Sequence, residues 1–395
     1  MVNAKKTVVV GVTGGIAVYK ALDVISKLKK KDFEVHVIMT ESATKFVTPL
    51  SFQSLSQNIV NSDMFSEPKA WEIQHISLAK KADLIAIIPA TANIIGKVAN
   101  GLADDLLSTT IMATKAPVVF APAMNTNMYS NPIVQDNINK LRNLGYKFIN
   151  PASGRLACGD EGEGKLADTE LIAEYIQSLM YDIKDLQGKK VLVTAGPTIA
   201  SIDPVRYITN RSSGKMGYAI AEEARDRGAE VTLICGATNL AAPFGVKVVN
   251  VRTNEEMLKE VLDRFKEQDI VVKAAAVADY KPKQYSDRKI KKAEDEFNLI
   301  LTKDNDILRK LGTLKENQIL VGFAAESNDL LENAQKKLNN KNLDYIVAND
   351  ITATDTGFAS DNNKVTILCR DGKTIHLDKM SKRQVASELF DLINV

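Results

Sequence analysis

Short apolar runs alternate with longer stretches of helical spacing over almost the whole chain. In the first half the strand-like runs cover residues 7–12, 34–40, 83–89, 117–120 and 146–149. Between them, residues 18–28 and 102–113 place apolar side chains at helical intervals. Such alternation predicts a parallel sheet covered by helices on both faces. Residues 182–188 interrupt the pattern as a linker, and Lys189-Lys-Val-Leu-Val-Thr-Ala-Gly196 restarts it. Further strands fit 230–235, 246–251, 269–275, 318–323 and 344–347. Runs at 365–369 and 374–377 flank Arg370-Asp-Gly-Lys373, and Asp-Gly between alternating apolar runs is a hairpin signal. The expected fold is α/β with two domains, 1–185 and 186–395. Both open with a strand, a glycine loop and a helix, without a sequence repeat.

A length of 395 residues suits that division, being too long for one ordinary core. Lys and Arg total 51 against 49 Asp and Glu, so the net charge of +2 gives no global pull toward nucleic acid or a membrane. No apolar stretch reaches the length of a membrane span, and Met-Val-Asn-Ala-Lys-Lys does not read as a signal peptide. Three widely spaced cysteines, Cys158, Cys235 and Cys369, argue against a disulfide framework and for a reducing cytoplasm. His36, His75 and His376 are not paired at metal-ligand spacing, so a zinc or iron site is not expected.

Candidate chemistry gathers at the ends of the expected strands, where open α/β sheets hold ligands. Gly11-Val-Thr-Gly-Gly-Ile-Ala17 follows the first strand and opens a helix, so its backbone N–H groups can hold a phosphate. It lacks Gly-x-Gly-x-x-Gly, which weakens a dinucleotide reading and leaves a ligand-free tight turn open. Hydroxyls at Thr40, Ser42, Thr91 and Ser108 favour a phosphate monoester. The run 118–120 ends in Ala121-Pro-Ala-Met-Asn-Thr-Asn-Met128, and 33 residues beyond Asn125 stands Cys158, within Ser153-Gly-Arg-Leu-Ala-Cys-Gly159. Gly154, Gly159, Gly162 and Gly164 give that segment the character of a mobile flap, an unusual setting for a structural cysteine. Taken singly, His75 also fits a helix cap, Cys158 an inert flap residue, and Met124 and Met128 core filler.

In combination, Gly14-Gly15-Ile16-Ala17, His75-Ile76, Pro89-Ala-Thr-Ala-Asn93, Pro122-Ala-Met-Asn-Thr-Asn-Met128 and Ala157-Cys158-Gly159 make the first half resemble the flavin-dependent cysteine decarboxylases. The whole chain resembles the bifunctional phosphopantothenoylcysteine decarboxylase/phosphopantothenate–cysteine ligases of coenzyme A synthesis. That resemblance implies a flavodoxin-like or Rossmann-like N-terminal domain with FMN held by Gly14, Gly15, Ile16, Thr40, Ser42, Thr91, Asn93 and Ala123. It also implies a homo-oligomer with trimeric decarboxylase and dimeric ligase domains, the flavin site lying between subunits. The implied chemistry is FMN-dependent oxidation of the cysteinyl Cβ–S unit of phosphopantothenoylcysteine to a thioaldehyde. The neighbouring carboxylate then leaves as CO2, and the enethiolate is protonated and reduced to 4'-phosphopantetheine. Asn125 would hold the substrate carboxylate, His75 would position the reacting group or act as base, and Cys158 would protonate the enethiolate carbon. Two positions depart from the family pattern: Ile94 stands where Thr is more frequent, and Tyr129 where Trp is more usual.

In the second half, Asp203-Pro-Val-Arg206 and Asn210-Arg-Ser-Ser-Gly-Lys-Met-Gly217 follow the first strand. Arg206, Asn210, Arg211 and Lys215 give polar and cationic reach. Ser212-Ser213-Gly214 is a candidate cap, and a capped helix with a solvated basic turn is the plain alternative. Lys273-Ala-Ala-Ala-Val-Ala-Asp-Tyr280 ends a strand in small residues that let a flat ligand approach the backbone. Residues 281–292 carry six cations, Lys281, Lys283, Arg288, Lys289, Lys291 and Lys292. Few aromatics interleave them, which disfavours nucleic acid and favours a triphosphate.

This half resembles the CTP-dependent phosphopantothenate–cysteine ligases, which implies a Rossmann-like nucleotide-binding domain. The implied reaction has 4'-phosphopantothenate attack the α-phosphate of CTP. The amine of cysteine then attacks the acyl-cytidylate, with Mg2+ screening the triphosphate and no metal ligand assigned. The implied CTP contacts are Lys273, Ala274, Ala275, Asp279 and Lys289, then Asn305, Asp306, Ile307 and Leu308, then Phe323, Lys337 and Lys341. Arg206 is a substrate contact, Asn210 would hold the acyl-cytidylate, and Lys289 would stabilise the developing charge. Ala200 replaces a frequent acidic residue, and Asp304-Asn305 a common Asn-Pro. Rival readings fare less well. Paired NAD(P)-binding domains predict glycine fingerprints that neither loop has, a regulatory flavin-binding subunit predicts a missing reactive residue, and prenyl transfer would not call for Cys158. The expectation is a cytoplasmic enzyme of two activities, without nucleic-acid or membrane partners.

Overall fold

The computed structural model describes residues 5–65, 73–155, 159, 161–291, 298–326, 330–350 and 360–393. The chain divides into two compact units, Met1–Met180 and Tyr181–Val395. The first unit runs β1 (Thr7–Val12), α1 (Val18–Lys30), β2 (Glu34–Met39), α2 (Glu41–Thr44), α3 (Pro49–Ser56), β3 (Val60–Asn61), α4 (Gln74–Lys81), β4 (Leu84–Ala90), α5 (Ala92–Ala99) and α6 (Leu106–Ala113). It continues with β5 (Val118–Pro122), α7 (Thr126–Tyr129), α8 (Pro132–Asn143), β6 (Lys147–Phe148), β7 (Ala152–Arg155), β8 (Glu161–Lys165) and α9 (Thr169–Leu179).

Its main sheet has the order β3-β2-β1-β4-β5-β6, with every pair parallel. Side chains alternate across a strand, and β1 displays the consequence. Val8, Val10 and Val12 join the apolar cluster under α1, α3 and α9, whereas Val9 joins the one under α4, α5, α6 and α8. With both faces covered, the strand reads as an unbroken apolar run. The strand order reverses between β1 and β4, and at such a switch point the loops diverge and leave a crevice. The glycine-rich segment expected as a flap is a separate antiparallel hairpin, β7 on β8.

The second unit contains β9 (Lys190–Ala195), β10 (Ile199–Ser201), β11 (Tyr207–Thr209), α10 (Lys215–Asp226), β12 (Glu230–Cys235), β13 (Lys247–Asn250), α11 (Asn254–Phe265), β14 (Ile270–Lys273), β15 (Tyr280–Pro282) and β16 (Leu301–Lys303). There follow α12 (Ile307–Leu314), β17 (Ile319–Glu326), α13 (Leu330–Asn340), β18 (Tyr345–Asp350), β19 (Asn362–Cys369), β20 (Thr374–Ser381) and α14 (Lys382–Leu392). Its eight-stranded sheet has the order β13-β12-β9-β14-β17-β18-β19-β20. It is parallel as far as β18, after which β19 and β20 run antiparallel as the expected Asp-Gly hairpin. Helices α10 and α14 bury one face, and α11, α12 and α13 the other.

Residues 182–188, expected as a linker, form no helix or strand but are bonded to this second unit. The Tyr181 hydroxyl donates to Glu223, the Lys184 ammonium to the Asp226 carbonyl, and the Leu186 N–H to the Arg227 carbonyl. The Arg227 guanidinium is fully buried and donates to Glu223 at 2.8 Å, Asp391 at 2.6 Å and Asp185 at 2.9 Å. A buried cation is tolerated only when paired in this way. Cys235 and Cys369 are buried free thiols. Among the described residues, no helix is long and apolar enough to cross a membrane.

Candidate active sites

At the switch point of the first unit, Thr13 ties the tips of β1 and β4 together. Its hydroxyl donates to the Pro89 carbonyl at 2.7 Å and accepts the Thr91 N–H at 3.2 Å. A Cβ on Gly14 would lie 2.4 Å from the Ser42 Cβ, so only glycine lets the two loops approach. Two cavities of about 650 and 700 Å³ adjoin here and share Gly14, Thr91, Ala92 and Met128. The first also takes in Thr40, Ser42 and Asn93; the second takes in Gly15, Ile16, Ala123 and Asn125. All eight residues expected around a flavin thus line one crevice. Ser108 does not join them, because it is fully buried in a capping box with Asp105 at the head of α6.

Asn125 caps α7, its Oδ1 accepting the Asn127 N–H at 2.8 Å, so the amide nitrogen is its donor end. Flap strand β8 lies against the same loop, where the Met124 N–H donates to the Gly164 carbonyl at 2.9 Å. A Cβ on Gly164 would come within 2.4 Å of the Met124 carbonyl oxygen, and its φ of +134° suits glycine alone. Arg155 of β7 and Lys20 of α1 add cations to this second cavity, which the motif reading did not find. His75, second residue of α4, is half-buried and lines neither cavity of its own chain. Cys158 lies outside the described residues. The departing Ile94 is buried in the apolar cluster beneath α5, and Tyr129 is packed against the same cluster.

The second unit has a cavity of about 300 Å³ at the carboxyl ends of β14 and β17. Lys273, Ala274, Ala275, Asp279, Asn305, Asp306, Leu308, Phe323, Lys337 and Lys341 all line it, as does Asn210. Lys273 donates to the Ala275 carbonyl at 2.8 Å, and burial, then the neighbouring Lys341, brings its pKa down to about 8. Asp306 caps α12 and pairs with Lys341 at 2.8 Å. Burial pushes its carboxyl up, but Lys341, the Arg309 N–H and Lys273 outweigh this and hold it below the ordinary range. The Asn210 amide donates to the Ala276 and Val277 carbonyls at 2.9 and 3.0 Å, fixing its orientation over the strand end.

Some of the expected residues stand elsewhere. Ile307 points into the apolar core because it is the first residue of an amphipathic helix; its side chain is 0% exposed and does not line the cavity. Of the expected cap Ser212-Ser213-Gly214, the glycine and neither serine holds the N-cap of α10. Gly214 takes that position at a φ of +82°, while the Ser212 hydroxyl accepts the Gly214 N–H. Arg206 and Lys289 do not line the cavity either. Arg206 is instead bonded to Asp203, a carboxylate without side-chain exposure that also accepts the N–H groups of Val205, Arg206 and Ile290. The Arg206 guanidinium further donates to the Ile290 carbonyl at 3.2 Å, so Asp203 and Arg206 clamp the backbone beside exposed Lys289. Of the basic run, Lys281 is paired with Asp304 at 3.0 Å, and Lys292 lies outside the described residues. Asn349 of β18, Asn363 of β19 and Lys382 of α14 also line the cavity, where no sequence motif marked them.

Residues 2–181 match the family described as Flavoprotein, and residues 186–395 match the DNA/pantothenate metabolism flavoprotein C-terminal domain. Over 391 residues the chain is 49% identical to the coenzyme A biosynthesis bifunctional protein CoaBC of Bacillus subtilis (strain 168), covering 98% of this chain and 96% of that one. The chain belongs to the CoaBC family. The CoaBC protein of Escherichia coli (strain K12) is 42% identical over 376 residues, 94% of this chain and 93% of that one. Among solved structures, the C-terminal domain of a CoaBC protein is 44% identical with a TM-score of 0.46, covering 53% of this chain and 95% of that one. A PPC decarboxylase mutant complexed with pantothenoylaminoethenethiol is 32% identical with a TM-score of 0.41, covering 45% and 98%.

As a CoaBC-family member, the chain is a bifunctional enzyme of coenzyme A biosynthesis, decarboxylase and ligase in one polypeptide. The first crevice fits FMN on the chain's own geometry. The glycines at 14 and 15 leave backbone bare, and α1 opens beside them without a side-chain cap, as suits a bound phosphate. The second cavity presents both signs of charge within a Rossmann-like strand-end cleft, as suits a nucleotide.

Proposed function

We propose that the first unit, residues 1–180, decarboxylates 4'-phosphopantothenoylcysteine and the second, residues 181–395, makes it, so that the C-terminal unit feeds the N-terminal one. In ligation, a carboxylate oxygen of 4'-phosphopantothenate bonds to the α-phosphorus of CTP and pyrophosphate leaves. The cysteine amine then bonds to the acyl carbon, loses a proton, and CMP leaves. Asn210 holds the activated acyl group near the strand-end carbonyls it already bridges. Lys273, Lys337 and Lys341 face the nucleotide, and Lys289 meets the charge that grows on the α-phosphate. Mg2+ enters with the triphosphate, whose oxygens supply most of its ligands.

In decarboxylation, FMN when bound supplies the two-electron oxidation of the substrate's Cβ–S unit and the matching reduction at the end. The chain's own residues do the rest. Asn125 turns its amide nitrogen to the departing carboxylate, Arg155 and Lys20 attract the phosphorylated substrate, and the β7–β8 hairpin closes over it. Cys158 gives its proton to the enethiolate carbon. His75, remote from both cavities of its own chain, reaches a neighbour's site in a homo-oligomer with trimeric decarboxylase and dimeric ligase domains. The enzyme works in the cytoplasm. The observation carrying the reading is that one loop, Met124–Asn125, bonds to the flap through Met124 and lines the same crevice that Gly14 and Gly15 open.

The test is mass spectrometry of products from pure protein with 4'-phosphopantothenate, cysteine, CTP and Mg2+. Release of 4'-phosphopantetheine, CMP and CO2 is expected. Phosphopantothenoylcysteine as the end product would leave the ligase standing and remove the decarboxylase assignment. The Cys158→Ser variant should keep FMN and ligation but stall after the oxidised flavin is bleached; normal product from it would take Cys158 out of the mechanism.

A further inference from the structure

Between the end of β16 at Lys303 and the start of α12 at Ile307, three residues carry the chain along the second cavity, and Asn305 and Asp306 line it. Asp306 is fixed as the cap of α12. Asn305 belongs to neither element, and it stands where relatives commonly have proline. A proline ring fixes φ and has no N–H to satisfy. An asparagine at the same point keeps both freedoms unless neighbouring groups take them away.

Two side chains do so. The Asn305 N–H donates to the Asp304 carboxylate at 2.8 Å, and the Asn305 carbonyl accepts the Asn254 amide at 2.9 Å. Asp304 is anchored in turn. Its own N–H donates to the Asp279 carbonyl at 2.9 Å, and its carboxylate, 7% exposed, pairs with Lys281 at 3.0 Å. Neither side chain suits its surroundings on other grounds. Asn254, Met257, Leu258 and Val261 follow the i, i+3, i+4, i+7 spacing of one helix face, and the last three belong to the apolar cluster beneath α11. The amide heading this stripe is 2% exposed, and its Oδ1 has no hydrogen-bond partner, a cost that alanine would not carry. A carboxylate beside a site for a polyanion is likewise unfavourable, even with Lys281 against it. The bond each makes to Asn305 accounts for both.

Resting on the ligase reading above, we infer that Asn254 and Asp304 are positioning residues for CTP, gripping the carbonyl and the N–H of Asn305 so that the backbone at 305–306 is already shaped to receive the nucleotide. Together they do what a proline ring at 305 would do alone. Binding then does not carry the entropy cost of ordering this connection.

Kinetics on the full chain test this. With CTP, Mg2+ and 4'-phosphopantothenate but no cysteine, the native protein should release pyrophosphate; absence of release overturns the ligase reading and this inference with it. In Asp304→Ala, removing a negative charge and freeing Lys281 would by itself tighten CTP binding, whereas loss of the grip on Asn305 should raise the KM for CTP about tenfold. A KM at or below the native value overturns the inference. Asp304→Asn keeps an oxygen that can accept the Asn305 N–H and should stay within about twofold of native. A loss as large as that of the alanine variant also overturns it. Asn254→Ala should raise the KM for CTP about tenfold and leave the KM for cysteine within about twofold. Its melting temperature should not fall, because an unmet acceptor leaves an apolar stripe. A lower melting temperature with an unchanged KM for CTP would make Asn254 a structural residue and overturn its assignment. Adding Asn305→Pro to Asn254→Ala should return the KM for CTP toward native, since the ring restores the fixed φ. A rise left unrelieved would mean that Asn254 does not serve the Asn305 backbone. Decarboxylation of supplied phosphopantothenoylcysteine should stay normal in every variant.

Discussion

Lys273 holds an ammonium at the end of a buried strand, where burial and Lys341 bring its pKa from the ordinary lysine value down to about 8. Between that value and the unfolded one, the unfolded chain binds the extra proton. Stability from this group therefore rises with pH across the window, and the cost of the buried charge is fully present below it. A bound triphosphate has the opposite preference and favours the protonated form. Affinity for CTP should weaken as pH rises through about 8, and Lys273→Met should bind more weakly with a flatter profile, as calorimetry on either side of that pH would show. Asp203 acts through position rather than contact. Burial pushes its carboxyl up, but the N–H groups of Val205, Arg206 and Ile290 outweigh this and hold its pKa below the usual carboxylate range. Its contribution is present above the unfolded carboxylate pKa and disappears as acid titrates it. Asp203→Asn should loosen the backbone beside Lys289 and cut ligation by up to about a hundredfold, while decarboxylation of supplied phosphopantothenoylcysteine stays normal. Equal loss of both activities would mean that the clamp serves folding alone.

On the proposed function, decarboxylation turns on the flap hairpin. Gly164→Ala would drive a methyl group into the Met124 carbonyl and force a β-carbon onto a φ of +134°. A cost on the order of 1–3 kcal/mol falls on the closed position of β8, so decarboxylase activity should drop while ligation continues. Assays of both reactions on one preparation would decide this. Elements of this kind were only partly legible beforehand. Strands buried on both faces announce themselves as apolar runs, and β1 and β12 were read to the residue. The helix expected over 102–113 begins at Leu106 because Asp105 and Ser108 form a capping box, a signal carried by the sequence itself. The two-residue strand β3 is too short to leave a period. The glycines of the flap were visible, but its pairing depends on contacts to Met124 and Thr126. Likewise Asn349, Asn363 and Lys382 reach the cavity through the register of a hairpin with its flanking strand and helix, which no local motif encodes.

At the scale of the whole chain, two compact units each carry their own ligand cleft. Ligand binding to a native unit stabilises that unit by about 2.7 kcal/mol at a hundredfold excess over Kd. For units of this size the corresponding rise is roughly 5–10 °C. Calorimetric scans should therefore show FMN lifting one transition and CTP with Mg2+ the other. A single transition moved equally by both ligands would contradict independent units.

The bonding of residues 181–186 sets where such a gene could divide. Tyr181, Lys184, Asp185 and Leu186 all find their partners on α10 or just beyond it, although they precede the first strand of that unit. A stop and restart placed before the Tyr181 codon would give two polypeptides, each retaining those internal partners. The same break after Gly188 would deprive buried Arg227 of Asp185 and Glu223 of Tyr181. Fission into separate genes, or fusion of two into one, is thus least costly at a junction several residues upstream of where the second sheet begins.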